Sequence, residues 1–303
     1  MIDIKNLCKS FGKKEVLKGL SLNIKDNSIF GLVGINGAGK STLLRILSGV
    51  YRQDSGEVLY DGLAANDLLV KGDIFYLPDE PYYPANATVE TLVDFYNVFY
   101  TLNKENFDKY FKLFGLDKAL KEVKAKKNYT INNFSKGMKR QLFICIALAI
   151  APKYLFLDES FDGLDPLARL QFKRLLIEIS SEKNMTVIIS SHSLRELEDI
   201  CESYGLLDDG EIVSSGGIDE TKSLYHKYQL AFEREIFIED FKDLEIVSFN
   251  KIGRVYKIVC KGVEEDCYNA IMKMNPLLID RINIDFEELF IIEVESKGYI
   301  YEK

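Results

Sequence analysis

The chain predicts an α/β fold of buried parallel strands and helices, with antiparallel strands ahead of it and a small α+β domain behind. Three observations predict it. The apolar run Ile29-Phe30-Gly31-Leu32-Val33 enters a glycine-rich loop, and Leu43-Leu44-Arg45-Ile46-Leu47 leaves it at helical spacing, the order strand, loop, helix. Lys153-Tyr154-Leu155-Phe156-Leu157 is a continuous apolar strand that ends in Asp158-Glu159, the form of a buried parallel strand reaching a sheet edge. Thr186-Val187-Ile188-Ile189-Ser190 is a second such strand, with Ser191-His192 at its end.

Gly34-Ile35-Asn36-Gly37-Ala38-Gly39-Lys40-Ser41 fits G-x-x-x-x-G-K-[ST] at every fixed position, and Thr42 follows. Glycines let consecutive backbone N–H groups curl around an anion, and a helix starting near Lys40 points its partial positive charge at the same place. Phosphate binding is the expected chemistry. Lys40 is placed to neutralise β- and γ-phosphates, and the Ser41 hydroxyl to be a ligand of Mg²⁺. Gly49 marks the end of that helix.

Composition bounds the rest. A length of 303 residues favours two domains. A net charge of -8 argues against a general nucleic-acid binder. Five scattered cysteines without metal-type spacing fit a reducing compartment. The N-terminus lacks the basic start and apolar block of a secretory signal, and the most apolar run, Leu142 to Ala151, is about half the ~20 residues that cross a bilayer. A cytoplasmic location is expected.

In chain order, Ile2 to Ile24 reads as antiparallel strands around the turn Lys9 to Lys14. Phe11 in that turn is either a stacking surface for a nucleotide base or an ordinary exposed turn aromatic. Gly56 to Gly62 reads as a strand ending in Asp-Gly, and Asp73 to Leu77 as a buried strand halted by prolines. Asp79 then sits where ligands collect in a parallel sheet.

Residues from about 86 to 151 read as a helical subdomain. Val89, Leu92, Val93, Tyr96, Phe99 and Tyr100 follow an amphipathic course, and lysine-rich 104–127 reads as a solvated face. Ser135 caps a long buried helix, and the same start doubles as an anion site. Asp158 is placed to hold Mg²⁺ through water and Glu159 to polarise an attacking water, or the pair is an ordinary acidic strand end. Asp165-Pro166 starts another helix, and Ser193 with Glu196 forms a capping box for a helix carrying Leu197, Ile200, Cys201 and Tyr204. His192 stands at the end of a buried strand, either a structural histidine or a γ-phosphate contact.

This set resembles the nucleotide-binding domain of ATP-binding cassette (ABC) proteins over about residues 1 to 217. Gly34 to Thr42 looks like Walker A, Leu155 to Glu159 like Walker B with its glutamate, Phe134 to Met138 like the signature motif, Phe161 to Asp165 like the D-loop, and His192 like the switch histidine. The resemblance implies a P-loop ATPase domain whose copies meet head to tail, with ATP and Mg²⁺ between Walker A of one and the signature helix of the other. It implies nucleotide contacts from Phe11, Gly34, Asn36, Gly37, Ala38, Gly39, Lys40, Ser41 and Thr42, and from Ser135 and Gly137 across the interface. Glu159 and His192 are the implied catalytic pair, and Ser41, Asp79 and Asp158 the implied metal side.

Three signature positions depart from Leu-Ser-Gly-Gly-Gln, as Phe134, Lys136 and Met138, while Ser135 and Gly137 keep the pattern. Asp79 stands where the family usually has glutamine, and Phe11 where it usually has tyrosine. The implied partners are a second ATP-binding subunit and a separate membrane permease, at the inner face of the cell membrane. An exporter is the expected system. The alternative is a non-transport member acting on a soluble complex or nucleic acid.

Beyond 217 the expectation is a small α+β domain over 218–303. β-like runs at 234–239, 244–249 and 255–260 lead to a helix at 264–274 and a last helix from about Asp285. Asp285 to Phe290 resembles the tail of ABC ATPases that serve multidrug-type or antibiotic-type exporters.

Overall fold

The computed structural model describes residues 1–65, 67–124 and 129–296, in two compact units, Met1–Ser215 and Gly216–Lys303. In the first unit, β1 (Ile2–Phe11) and β2 (Lys14–Ile24) pair antiparallel, and β3 (Ile29–Val33), buried throughout, runs into the loop and α1 (Lys40–Leu47). β4 (Ser55–Tyr60) and β5 (Leu63–Ala64) complete a four-stranded sheet in the order β2-β1-β4-β5. After α2 (Leu68–Lys71) comes β6 (Ile74–Leu77), and then the helical stretch α3 (Val89–Phe99), α4 (Lys104–Leu113), α5 (Leu116–Lys124) and α6 (Lys136–Ile150). The chain continues through β7 (Tyr154–Leu157), α7 (Pro166–Lys183), β8 (Thr186–Ser191), α8 (Leu194–Glu198), β9 (Ser203–Asp208) and β10 (Glu211–Gly217).

The second sheet runs β10-β9-β3-β8-β7-β6, and the contacts of β3 with β8 and β9, of β7 with β8, and of β6 with β7 are all parallel. Parallel register brings the carboxyl ends of β3, β6, β7 and β8 to one edge, where ligands of such sheets collect. One apolar cluster, with Leu43, Leu44 and Leu47 of α1, Leu7 and Leu17 of the first sheet, and Phe30, Phe156 and Ile188 of the second, joins the layers. Burial of that cluster fixes α1, and so the loop before it.

Local signals hold at most helix starts. Ser135 caps α6 by accepting from Met138 N at 3.2 Å, and Asp165 accepts from Leu167 N and Ala168 N with Pro166 at the first position of α7. Several expectations need correction. The Ser193–Glu196 capping box does not form: Ser191 Oγ accepts from Ser193 N and donates to Glu196, whose other oxygen pairs with Arg169 at 2.5 Å. The helix also stops at Glu198, so Ile200 and Cys201 follow it and Tyr204 lies on β9. On α3, Val89, Leu92 and Val93 are buried, but Phe99 is 65% exposed against Phe95 rather than part of the core stripe. Of lysine-rich 104–127, residues 125–127 lie outside the described residues. No helix among the described residues is long and apolar enough to cross a membrane.

The second unit contains α9 (Ile218–Ser223), β11 (Tyr225–Ala231), β12 (Glu245–Ile252), β13 (Val255–Lys261), α10 (Glu264–Met272), β14 (Leu278–Ile282) and α11 (Phe286–Ser296). Its antiparallel sheet has the order β12-β13-β11-β14. One face packs Tyr228, Ile258 and Cys260 with Cys267 and Ile271 of α10, and the other packs Tyr225 and Val259 with Leu289 and Ile292 of α11. The run at 234–239 is not a strand. Ile236 N donates to Tyr256 Oη, and a short 3₁₀ turn follows at Ile238–Asp240.

Candidate functional site

β3 ends at Val33, and the chain turns through the loop into α1. Gly39 holds φ +113°, a conformation other residues rarely adopt, and a Cβ there would lie 3.1 Å from Val16 O. No side chain caps α1, so its first-turn N–H groups face the loop as donors for an anion. Lys40 is 6% exposed. Its Nζ donates to Gly34 O at 2.7 Å and Ile35 O at 3.3 Å, and stands 3.3 Å from Glu159 Oε1.

The acids at the end of β7 have separate surroundings. Asp158 is 1% exposed and needs partners, since a buried unpaired charge is costly. It has three: Ser190 Oγ at 2.8 Å and Ser41 Oγ at 3.1 Å donate to Oδ1, and Tyr76 Oη at 3.1 Å donates to Oδ2. Burial, together with the Asp158 charge, pushes the Tyr76 hydroxyl well above its ordinary value, so it stays a donor. Glu159 takes φ +47°, its N–H donating to Ser190 Oγ at 3.0 Å. That backbone turn sends Glu159 away from Asp158, with Oε2 3.0 Å from His192 Nδ1.

The hydrogen bond that His192 Nδ1–H donates to the Glu159 carboxylate raises the His192 pKa above its ordinary 6.5. Because the folded value is raised, the pair's contribution is complete below about pH 6.5 and is lost as pH rises through the folded pKa. The chain has two histidines, so the imidazole NMR titration is simple to assign. We expect the His192 midpoint above the ordinary value, and we expect Glu159→Gln to bring it down. A midpoint unmoved by that change would remove the pair.

These groups border a cleft of about 520 Å³. From the loop, Asn36, Gly37, Gly39, Lys40, Ser41 and Thr42 face it; from the strand ends, Asp79, Glu159 and His192 do. Gly34 and Ala38 form the loop's backing, Gly34 through its bond to Lys40 and Ala38 through its bond from Gly210 N. Asp158 lies beneath, reached through Ser41. Phe11 is outside the lining, half exposed with Tyr51 edge-on at 5.5 Å, but its register partner Lys14 does line the cleft. Ser135 and Gly137 are not among the lining residues. Gly137 instead lies so close to Gly163 that a Cβ would sit 2.6 Å from Gly163 O.

Sequence reasoning missed Tyr76, Ser190, Lys14, Asp162 and Arg140. Tyr76 and Ser190 stand three and two residues before Asp79 and His192 on their strands, so a search for polar side chains in buried strands near a motif would have found them. Asp79 reaches the rim with one carboxylate oxygen 2.5 Å from Arg140 of α6. Ser41, Asp158 and Asp79 offer oxygen donors, the chemistry Mg²⁺ prefers, and so fit that ion.

A family model described as ABC transporter matches residues 17–162. The bacitracin transport ATP-binding protein BcrA of Bacillus licheniformis is 31% identical, with 84% of this chain and 85% of the relative covered. The chain belongs to the ABC transporter ATP-binding family. As a member it is a nucleotide-binding ATPase subunit of a transporter. The ABC transporter ATP-binding protein YtrB of Bacillus subtilis is 29% identical over 98% of this chain and 99% of its own, so this ABC similarity continues through the second unit. A solved ATP-binding cassette, a post-hydrolysis dimer bound to ADP and Pi, is 25% identical with a TM-score of 0.58 over 72% of this chain and 98% of that one.

Proposed function

We propose that this ABC subunit binds Mg²⁺-ATP, pairs head to tail with a second copy, and drives a separate membrane permease as an exporter. Residues 1–217 are the ATP-binding domain and 218–303 an accessory domain. The observation that carries the reading is the gathering of Lys40, Ser41, Asp158 and Glu159 at one sheet edge.

Lys40 exchanges its carbonyl and Glu159 partners for the terminal phosphates, and the loop N–H groups hold their oxygens. Ser41, Asp158 and, at the rim, Asp79 would hold Mg²⁺, which supplies charge neutralisation on the phosphates. Tyr76 and Ser190 fix Asp158 in place for that task. Glu159 orients and deprotonates the attacking water, and His192 fixes the carboxylate's direction from the far side. Phe11 offers its exposed ring to the adenine.

Ser135 and Gly137 lie outside the lining of this cleft, which supports their use in the cleft of a second copy. Likeness to a bacitracin transport protein supports export, and the absence of a spanning helix among the described residues supports a separate permease, with the subunit held at the membrane's inner face. Light scattering of the full chain with Glu159→Gln should show dimers with Mg²⁺-ATP and monomers without it. Tagged protein purified from membranes should bring a multi-span membrane protein with it. Recovery of ribosomes or nucleic acid instead, or a chain that stays monomeric at saturating nucleotide, would overturn the proposal.

A further inference from the structure

Arg140 is a charged residue where the local pattern calls for an apolar one. It lies in the second turn of α6, whose residues from Arg140 to Ala149 are all buried, and it is itself 3% exposed. A guanidinium taken out of water is costly unless its donors are satisfied. Among the described residues its hydrogen bonds go to a single loop: Nη1 to Pro78 O at 3.0 Å, and Nη2 to Asp79 O and to Asp79 Oδ1, the latter at 2.5 Å. That loop follows β6, and Asp79 borders the phosphate cleft with its side chain 45% exposed.

The two ends of this contact serve different halves of the site. Asp79 lines the cleft together with Ser41 and Glu159, while Arg140 is on the helix whose cap is Ser135. A helix moves as a rigid rod over one turn, so a displacement of Arg140 is a displacement of Ser135 and Gly137. The other carboxylate oxygen of Asp79 remains for the cleft. A divalent cation held there would share the Asp79 carboxylate with Arg140. Asp79 and Arg140 are complementary: an amide at position 79 would leave the buried guanidinium without its counter-charge.

We propose that Arg140 is a positioning residue that ties the start of α6 to Asp79, so that metal and nucleotide in the cleft are felt at Ser135 and Gly137. The inference rests on the Mg²⁺-ATP reading of the cleft. Arg140 touches neither nucleotide nor reacting atoms; its effect passes through Asp79 and through the helix.

The test uses the full chain and a fluorescent ATP analogue, titrated with Mg²⁺ and with EDTA, together with amide hydrogen exchange over residues 135–141. In wild type, Mg²⁺-ATP should slow exchange in that segment. Arg140→Gln should weaken binding in Mg²⁺ by about tenfold, the scale of one lost charge-assisted hydrogen bond, leave binding in EDTA unchanged, and abolish the exchange response. Arg140→Lys should restore part of both, a rescue that simple loss of stability would not give. Should Arg140→Gln fail to fold, Arg140→Lys, which keeps the charge but loses the two-pronged contact with Pro78 O and Asp79, should still show a reduced exchange response with binding in EDTA unchanged. Folded variants with the wild-type Mg²⁺/EDTA ratio and exchange response would overturn the proposal alone. A wild type that shows no Mg²⁺-dependent nucleotide binding would overturn the Mg²⁺-ATP reading and the proposal together.

Discussion

Glu159→Gln is expected to lower ATP turnover by about 10²–10⁴-fold, the usual contribution of a general base, with nucleotide binding intact. Glutamine matches glutamate in size, and the Glu159 N–H bond to Ser190 Oγ belongs to the backbone, so the left-handed turn at φ +47° keeps its main anchor. What disappears is the proton acceptor and one negative charge. That charge stands 3.3 Å from Lys40 Nζ and competes with any phosphate for the same ammonium. Its loss should leave ATP affinity equal or higher, so kcat and binding move in opposite directions. Phosphate release at saturating Mg²⁺-ATP, alongside an equilibrium titration, checks both. Unchanged turnover would remove Glu159 from the chemistry, and a joint fall in turnover and affinity would point to damage to the loop.

The parts of the fold that could be read from sequence are those decided by neighbours in the chain. Gly34 to Leu47 and the Asp165-Pro166 helix start each carry their geometry locally. Elements decided by distant partners were not legible. The strand β11 has the mixed sequence Tyr-His-Lys-Tyr-Gln-Leu-Ala, and it is a strand because β13 and β14 pair with it on both sides. The run at 234–239 has strand-like composition but no strand beside it among the described residues, and its backbone goes to Tyr256 instead. Ser193 loses its expected cap because Ser191 reaches Glu196 first and Arg169 holds the same carboxylate.

The site follows the same division. The loop, Asp158-Glu159 and His192 announce themselves by residue type at a strand end. Tyr76 and Ser190 have no motif of their own and reach Asp158 only through the parallel register of β6, β7 and β8. The function of Arg140 was least visible. Lys139-Arg140-Gln141 reads as a polar helix start until the loop at Pro78-Asp79 is brought against it.

Lys40→Ala should have the largest effect on binding. A lost charge-assisted hydrogen bond to phosphate is worth about 1.5–3 kcal/mol, which corresponds to roughly 10- to 150-fold weaker ATP binding. Turnover should fall with it. The same change should also lower the stability of the ligand-free chain, because Lys40 is buried and serves Gly34 O, Ile35 O and Glu159 at once. Alanine leaves Glu159, whose side chain is 15% exposed, with His192 as its one remaining basic neighbour within ion-pair distance among the described residues. Combining the two substitutions separates these contributions. If the Lys40–Glu159 contact matters in the resting protein, Lys40→Ala should cost less stability in the Glu159→Gln background than alone, measured by thermal unfolding without nucleotide. Strictly additive losses would mean that Lys40 stabilises the loop through the Gly34 and Ile35 carbonyls. In either case the ATP affinity of the double variant should stay as low as that of Lys40→Ala, since removing the competing carboxylate cannot help an ammonium that is gone.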